Sequence, residues 1–412
     1  MLQIDFNDLP TPAYLVGGWV RDRILKRQGR YLDLDFVLPD KAVETAQKIA
    51  KKYKAGFVVL DAERQIARVV FQNGTADFAQ QMGSSLEADL GRRDFCMNAI
   101  AIECHQLNQN ANLANLEENS GNLSELLIDP FDGIGDLTAK RIRMVAPENL
   151  AEDPLRILRG YRQAAQLGFV IEDLTRQVLI KLAPKLKLIA AERVRTELGY
   201  LLSITNGNQW MKTALCDRIL EDWLPSQHLN LERFAKIEGV IASLLEKFPA
   251  LELFFSNQLA GDRYALVIVK LAALSNSATA LESLGLSRVE QRWLVGILRH
   301  LPQFTELLQG ASATQQYRFF QQTLEFFPAI ATLALTSDHD FALIEPWLNR
   351  WLNPNDAIAY PIALISGDDL REELGIAPSP KIGELLESVK IAQVEGKISS
   401  KQEAIEFVKG MM

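Results

Sequence analysis

Near residue 145 the apolar period of this chain changes, and that change limits its architecture more than any other feature. Before it, "AYLVGG", "LDLDFVL", "AGFVVLD", "ARVVFQNG" and "CMNAIAIE" read as strands or strand ends, and 40–54 reads as a helix. After it, Leu, Ile and Ala recur at three- and four-residue spacing to the C-terminus. The expected class is α+β: a small N-terminal α/β head followed by an all-helical neck, body and tail. Turn-rich "IDPFDGIGDL" closes the head, and Pro225, Pro249, Pro302 and Pro328 are expected to separate successive helices. "PWLNRWLNPNDAIAYP", 346–361, marks a boundary before a last helical piece. The expected domains are 1–145, 146–215, 216–345 and 346–412. The polar, Asn-rich stretch 106–122 reads as a surface loop or short insertion.

No apolar run approaches the ~20 residues of a membrane span, so no membrane partner is expected. Three cysteines, Cys96, Cys104 and Cys216, have no metal-ligand spacing and cannot all pair, which points to a reducing cytoplasm. A net charge of −8 argues against a chain that coats nucleic acid indiscriminately. Locally the balance reverses: Arg156 to Arg195 holds nine Lys/Arg against three acids. Such a band on an acidic chain can hold a polyanion in one place, or be a solvated helix face.

Within "LDLDFVL", Asp33 and Asp35 alternate with Leu32, Leu34 and Phe36, so both carboxylates share one face of a strand. Two like charges that close repel unless a cation lies between them. Hard divalent ions such as Mg²⁺ take carboxylate oxygens and complete their shell with phosphate and water. Upstream, Gly17-Gly18 stands at a strand-to-helix turn, where backbone N–H groups can approach a phosphate. Arg21 follows about one helical turn later, within reach of a triphosphate oxygen.

Five blocks now stand in order: "LVGGWVRDRIL…DLDFVL", "DLGRRDFCMNAIA", "DPFDGIGDL", "EDPLRILRGYRQAAQLGF" and "ERVRTEL". Together they resemble the class II tRNA nucleotidyltransferase and bacterial poly(A) polymerase family, as does the ending from "ISGDDLREEL" onward. The resemblance implies a polymerase-β-like nucleotidyltransferase head, with two Mg²⁺ ions held by Asp33 and Asp35. Untemplated addition of nucleotides to RNA 3′ ends is the implied activity. Its substrates would be CTP, with ATP for a complete CCA, and its partner tRNA, held by acceptor stem and T arm.

Without a template, protein groups must read the base. Cytosine and adenine both present an amine donor beside a ring-nitrogen acceptor, whereas uracil and guanine present the reverse. A carboxylate and an arginine would admit the first pair and reject the second. "EDPLRILRGYR" sets Asp153, Arg156, Arg159 and Arg162 at three-residue steps on one helical face. The resemblance gives base reading to Asp153 and Arg156 and pocket-lining positions to Arg159 and Arg162. It also has Arg93 contact the incoming nucleotide, with Asp94 and Asn98 shaping the ribose and base site. Asp94 pairing with Arg93 alone is the alternative. Asp77 in "GTADFAQ" suits a third carboxylate, as general base or metal aid. Asp129 and Asp132 read as turn-formers, and "ERVRTEL" as a prop for the selecting helix.

Relatives that finish CCA carry a longer flexible segment before "RRDF", whereas 78–91 alone joins Asp77 to Arg92 here. The short form resembles enzymes that stop after CC. A poly(A)-type "GRRF" motif is missing from 39–76. The rival readings are a poly(A) or A-adding enzyme of the same family, and an RNA-binding module without catalysis.

Overall fold

The computed structural model describes residues 4–27, 32–110, 126–261, 263–375, 377 and 379–411. Of the Asn-rich stretch, 111–122 lies outside these residues. By internal packing the chain divides into two units, Met1–Ala190 with Cys216–Leu220, and Ala191–Leu215 with Glu221–Met412.

The first unit is built on a seven-stranded sheet. Its strands are β1 (Tyr14–Val16), β2 (Leu32–Leu38), β3 (Gly56–Asp61), β4 (Ile66–Phe71), β5 (Gly74–Gln80), β6 (Ala101–Glu103) and β7 (Leu127–Ile128), in the order β3-β4-β5-β2-β1-β6-β7. Helix α1 (Gly18–Ile24) follows β1 directly, and α2 (Ala42–Tyr53) buries Ala42, Ala46, Ile49 and Ala50 along one stripe. β2 and β5 run parallel, pairing Asp33 with Thr75 and Asp35 with Asp77. The alternation works as expected: Leu34 and Phe36 are buried, Phe36 stacking on Phe78 at 4.8 Å, while Asp33 and Asp35 take the opposite face.

"CMNAIAIE" is corrected in part. Only Ala101–Glu103 is strand; Cys96–Asn98 forms a tight single turn that orients Asn98. Helices Pro147–Glu152, Leu155–Leu167 and Asp173–Leu182 follow in this unit, as expected for a chain that turns helical near 145. The expected all-helical neck, however, also holds the strand Val170–Ile171, paired in parallel with Arg141–Ile142.

Helices make up most of the second unit, which also contains a short two-stranded ladder, Gln258–Ala260 with Arg263–Tyr264. Pro302 does not separate helices. It lies inside Arg288–Leu307, where Trp293, Ile297, Leu301 and Phe304 are buried on both sides of it. That burial outweighs the roughly 3 kcal/mol an interior proline costs. Pro346 is likewise inside Phe341–Leu352, so the boundary begins after Leu352. Beyond it, Gly367–Leu374, Pro380–Val394 and Lys401–Lys409 enclose a cluster of their own: Leu370, Leu385, Val389, Ala404 and Val408.

Candidate active site

β2 and β5 lay down the acidic floor. Asp33 Oδ1 accepts from Thr75 Oγ1 at 2.6 Å, fixing one carboxylate against the neighbouring strand. Asp35 faces Asp77 across the parallel pair. Burial pushes the Asp35 carboxyl up to about 6; Arg93 pulls it down, while the charges of Asp77 and Asp33 add to the rise. On its other side Asp77 meets Arg68 of β4, which clamps both oxygens at 2.7 and 2.8 Å. Among the described residues no three His, Cys, Asp or Glu side chains gather as a ready metal cluster. Asp33 and Asp35, with Asp77 tied to Arg68, make a two-carboxylate donor set that still needs outside oxygens. That fits Mg²⁺ bound together with phosphate and water.

A site for the phosphate adjoins it. Gly17 has φ +76°, and a Cβ there would lie 3.1 Å from both Arg93 Nη1 and Asp35 Oδ2. Only glycine gives this backbone shape while leaving that space open. Arg93 contacts Asp89 at 3.6 Å, and its Nε is buried with no hydrogen-bond partner among the described residues. An orphaned donor beside two carboxylates suits a metal-bound phosphate oxygen. Gly18 opens α1.

Behind the phosphate corner lies a buried polar network. Asp94 is 5 % exposed and accepts from Phe95 N, from Asn98 Nδ2 at 2.9 Å and from Arg159 Nε at 2.9 Å. It therefore pairs with Arg159, answering the alternative that it serves Arg93. Burial alone would raise its carboxyl; the Arg159 charge and these donors override that and hold it well below the usual carboxylate range. Arg21 is not directed at solvent. Its Nη1 donates to Asn98 Oδ1 at 2.9 Å and more weakly to Gln163 Oε1 at 3.4 Å. Gln163, 2 % exposed, also accepts from Asn98 Nδ2 at 2.9 Å. Sequence reasoning passed over Gln163 as helix filler. Its legible signal is the four-residue step from Arg159, which places both on one face.

Asp153 closes helix Pro147–Glu152 in extended backbone, and its Oδ1 accepts from Leu155 N at 3.3 Å. One turn on, Arg156 Nη1 donates to the carbonyls of Arg92 at 2.6 Å and Asn149 at 3.1 Å. Arg162 Nη1 reaches Gln166 at 3.0 Å. The expected turn-formers behave as such: Asp129 caps the helix start at Gly133 and Ile134, and Asp132 sits at φ 54°. In "ERVRTEL", Arg195 donates to the carbonyls of Leu284 and Gly285.

Comparison with known proteins agrees with this geometry. A family profile described as the poly A polymerase head domain matches residues 13–143, and one described as tRNA nucleotidyltransferase domain 2 matches 259–408. Between them, 168–231 matches an RNA and SrmB-binding site of polymerase A. The CC-adding tRNA nucleotidyltransferase of Synechocystis sp. is 44 % identical over 411 residues, covering 98 % of this chain and 94 % of that protein. The chain belongs to the tRNA nucleotidyltransferase and poly(A) polymerase family. Members of this family are enzymes, and residues 13–143 of this chain match the family's head domain. The CCA-adding enzyme of Streptococcus suis is 30 % identical, covering 97 % of this chain and 93 % of that one. Among solved structures, a CCA-adding enzyme with CTP superposes at TM-score 0.72 and 22 % identity, over 98 % of this chain and 92 % of that one. The Thermotoga maritima CCA-adding enzyme with tRNA reaches 0.70 at 23 % identity, over 97 % and 91 %. Both establish the shared α+β fold.

Proposed function

We propose that this nucleotidyltransferase adds CC to tRNA 3′ ends and leaves the terminal A to another enzyme. The carrying observation is the connector between β5 and Arg92. It is short and tied down: Met82 N donates to Asp89 Oδ1 at 2.9 Å, and Ser85 caps helix α3 (Leu86–Leu90). A connector this short and tied down differs from the longer flexible segment that the family resemblance gives to enzymes finishing CCA. The naming of the Synechocystis and Geobacter sulfurreducens relatives, the latter 28 % identical, supports the same product.

In the reaction the terminal 3′-oxygen forms a bond to the CTP α-phosphorus, the α–β bridging bond breaks, and pyrophosphate leaves. Divalent ions such as Mg²⁺, held by Asp33 and Asp35 when bound, would neutralise the phosphates and activate the hydroxyl. Asp77 would serve as third carboxylate, general base or metal aid, once Arg68 releases one of the two oxygens it clamps. Arg93, whose Nη1 lies with Asp35 Oδ2 beside Gly17, would contact the triphosphate. Asp153 takes the cytosine amine and Arg156 donates to the ring nitrogen. Misreading a base costs roughly 1–3 kcal/mol by analogy with bidentate base contacts. Asp94 and Asn98, held by Arg159 and Arg21, would shape the ribose and base site.

The tRNA is gripped by shape and phosphates. Lys181, Lys185 and Lys187 of the basic band are exposed for that purpose. Among the tail lysines, Lys397 and Lys401 pair with Glu395 and Asp369, leaving Lys381 and Lys390 as the better phosphate contacts. No described helix is long and apolar enough to cross a membrane, and the free thiols Cys96, Cys104 and Cys216 suit the cytoplasm. Transcripts ending before, within and after CC, each given one labelled nucleotide, test the assignment. Two CMP additions and no AMP are expected; AMP joined to a CC end would make it a CCA enzyme, and long A tracts a poly(A) polymerase.

A further inference from the structure

Asn149 sits on helix Pro147–Glu152, 8 % exposed, outside every motif discussed above. Its Nδ2 donates to the carbonyl of Gly91 at 2.7 Å and to that of Arg93 at 2.9 Å. Two carbonyl acceptors admit only the amide nitrogen, so the side chain's orientation is fixed by chemistry. The carbonyl between them, of Arg92, accepts from Arg156 Nη1 at 2.6 Å, and that same Nη1 donates to Asn149's own carbonyl at 3.1 Å. All three carbonyls of the Gly91–Arg93 turn are thereby tied to Asn149 or Arg156.

This joins the two ends of the nucleotide site. At one end of the turn stands Arg93, whose Nη1 lies with Asp35 Oδ2 beside Gly17. The other partner is Arg156, whose guanidinium is anchored by two carbonyls at Nη1 and keeps the rest of its fork for a base edge. A guanidinium anchored at one nitrogen loses little rotational freedom when it binds a base, which is how a support turns a flexible side chain into a selective one.

We infer that Asn149 is a positioning residue for nucleotide selection, holding the phosphate-binding Arg93 and the base-reading Arg156 in one register. It touches neither substrate nor metal itself. The inference rests on the functional reading above, and its test separates the two. Asn149→Leu keeps the branched shape and removes both donors; Asn149→Ser, a smaller side chain with one donor, serves if the first variant does not fold.

Wild type and variant are titrated calorimetrically with CTP, UTP and inorganic pyrophosphate, beside a thermal midpoint. Two lost hydrogen bonds predict that the CTP-over-UTP affinity ratio falls about tenfold and pyrophosphate binding weakens several-fold. Asn149→Ser should fall between wild type and Asn149→Leu. A folded variant with wild-type pyrophosphate binding and an unchanged CTP-over-UTP ratio overturns the inference, even if the midpoint drops, because that pattern belongs to a purely structural residue. If wild type itself fails to prefer CTP, the CC-adding reading is at fault, and the pyrophosphate titration still decides Asn149's hold on Arg93.

Discussion

The sheet-based unit and the helical unit differ in where they put their charged side chains. In the helical unit the buried charges of Lys270, Arg233 and Glu290 are held by structural partners, while Arg195 Nε is buried with no hydrogen-bond partner among the described residues. Lys270 gives its protons to the Leu202 carbonyl at 2.8 Å and to Glu238 at 2.9 Å. Arg233 closes the end of helix Ala265–Leu274 through the carbonyls of Ala272, Ala273 and Ser275. Glu290 completes a capping box with Ser287 and pairs with Arg263. Around them packs an aromatic cluster, Phe304 lying 5.4 Å from Phe319 and 5.2 Å from Trp347. The sheet unit leaves Arg93 Nε without a partner and sets three aspartates on adjoining strands. There the charges gather at one candidate site, with Arg93 Nη1 and Asp35 Oδ2 both beside Gly17.

The sharpest break in this comparison is at Asp35. Asparagine there should cut CMP transfer at least about a thousandfold, as removal of a metal-holding carboxylate does. The same change should make the metal-free protein more stable at pH 7. The folded carboxyl titrates near 6, above its unfolded value, so its ionisation opposes folding at neutral pH and not in acid. The gain is on the order of 2 kcal/mol, read as a raised thermal midpoint at pH 7 that vanishes below about pH 4. A lowered midpoint would mean the carboxylate is structural.

The converse holds in the other unit. Phe304→Ala should cost about 3–5 kcal/mol in denaturant unfolding, while the CTP-over-UTP ratio of the protein still folded stays at its wild-type value. A changed ratio would show that the aromatic cluster tunes selection. Smaller again is the Asp94–Arg159 pair. Because Asp94 is held below its unfolded value, its contribution is full above about pH 4 and is lost as the pH falls further. Arg159→Gln should flatten that acid limb and lower the unfolding free energy by about 1–3 kcal/mol; an unaltered limb would assign it to another group. Least of all, Lys401→Ala removes a solvent-exposed pair with Asp369 and should leave the midpoint unmoved, since such pairs contribute little in water.

Much of the site was legible in the chain. Asp33 and Asp35 declared themselves because charges alternating with apolar residues fit only a strand with one functional face. Gly17-Gly18 marked the turn for the same local reason. The partners were harder to see. Arg68, Thr75, Asn149 and Gln163 are ordinary polar residues in sequence, and each acquires its role from a neighbour far along the chain. Pro302 and Pro346 misled because local propensity was opposed, and outweighed, by buried apolar neighbours.

By itself, then, the order of residues determined the strand faces, the helical run after 145 and the acidic pair, since these depend on periods of two and three to four residues. Tertiary structure alone decided that Asp94 serves Arg159, that Asp77 is clamped by Arg68, and that one asparagine spans the Gly91–Arg93 turn. Those pairings join atoms from separate elements, and a hydrogen bond depends on where its atoms lie rather than on how far apart they are in the chain.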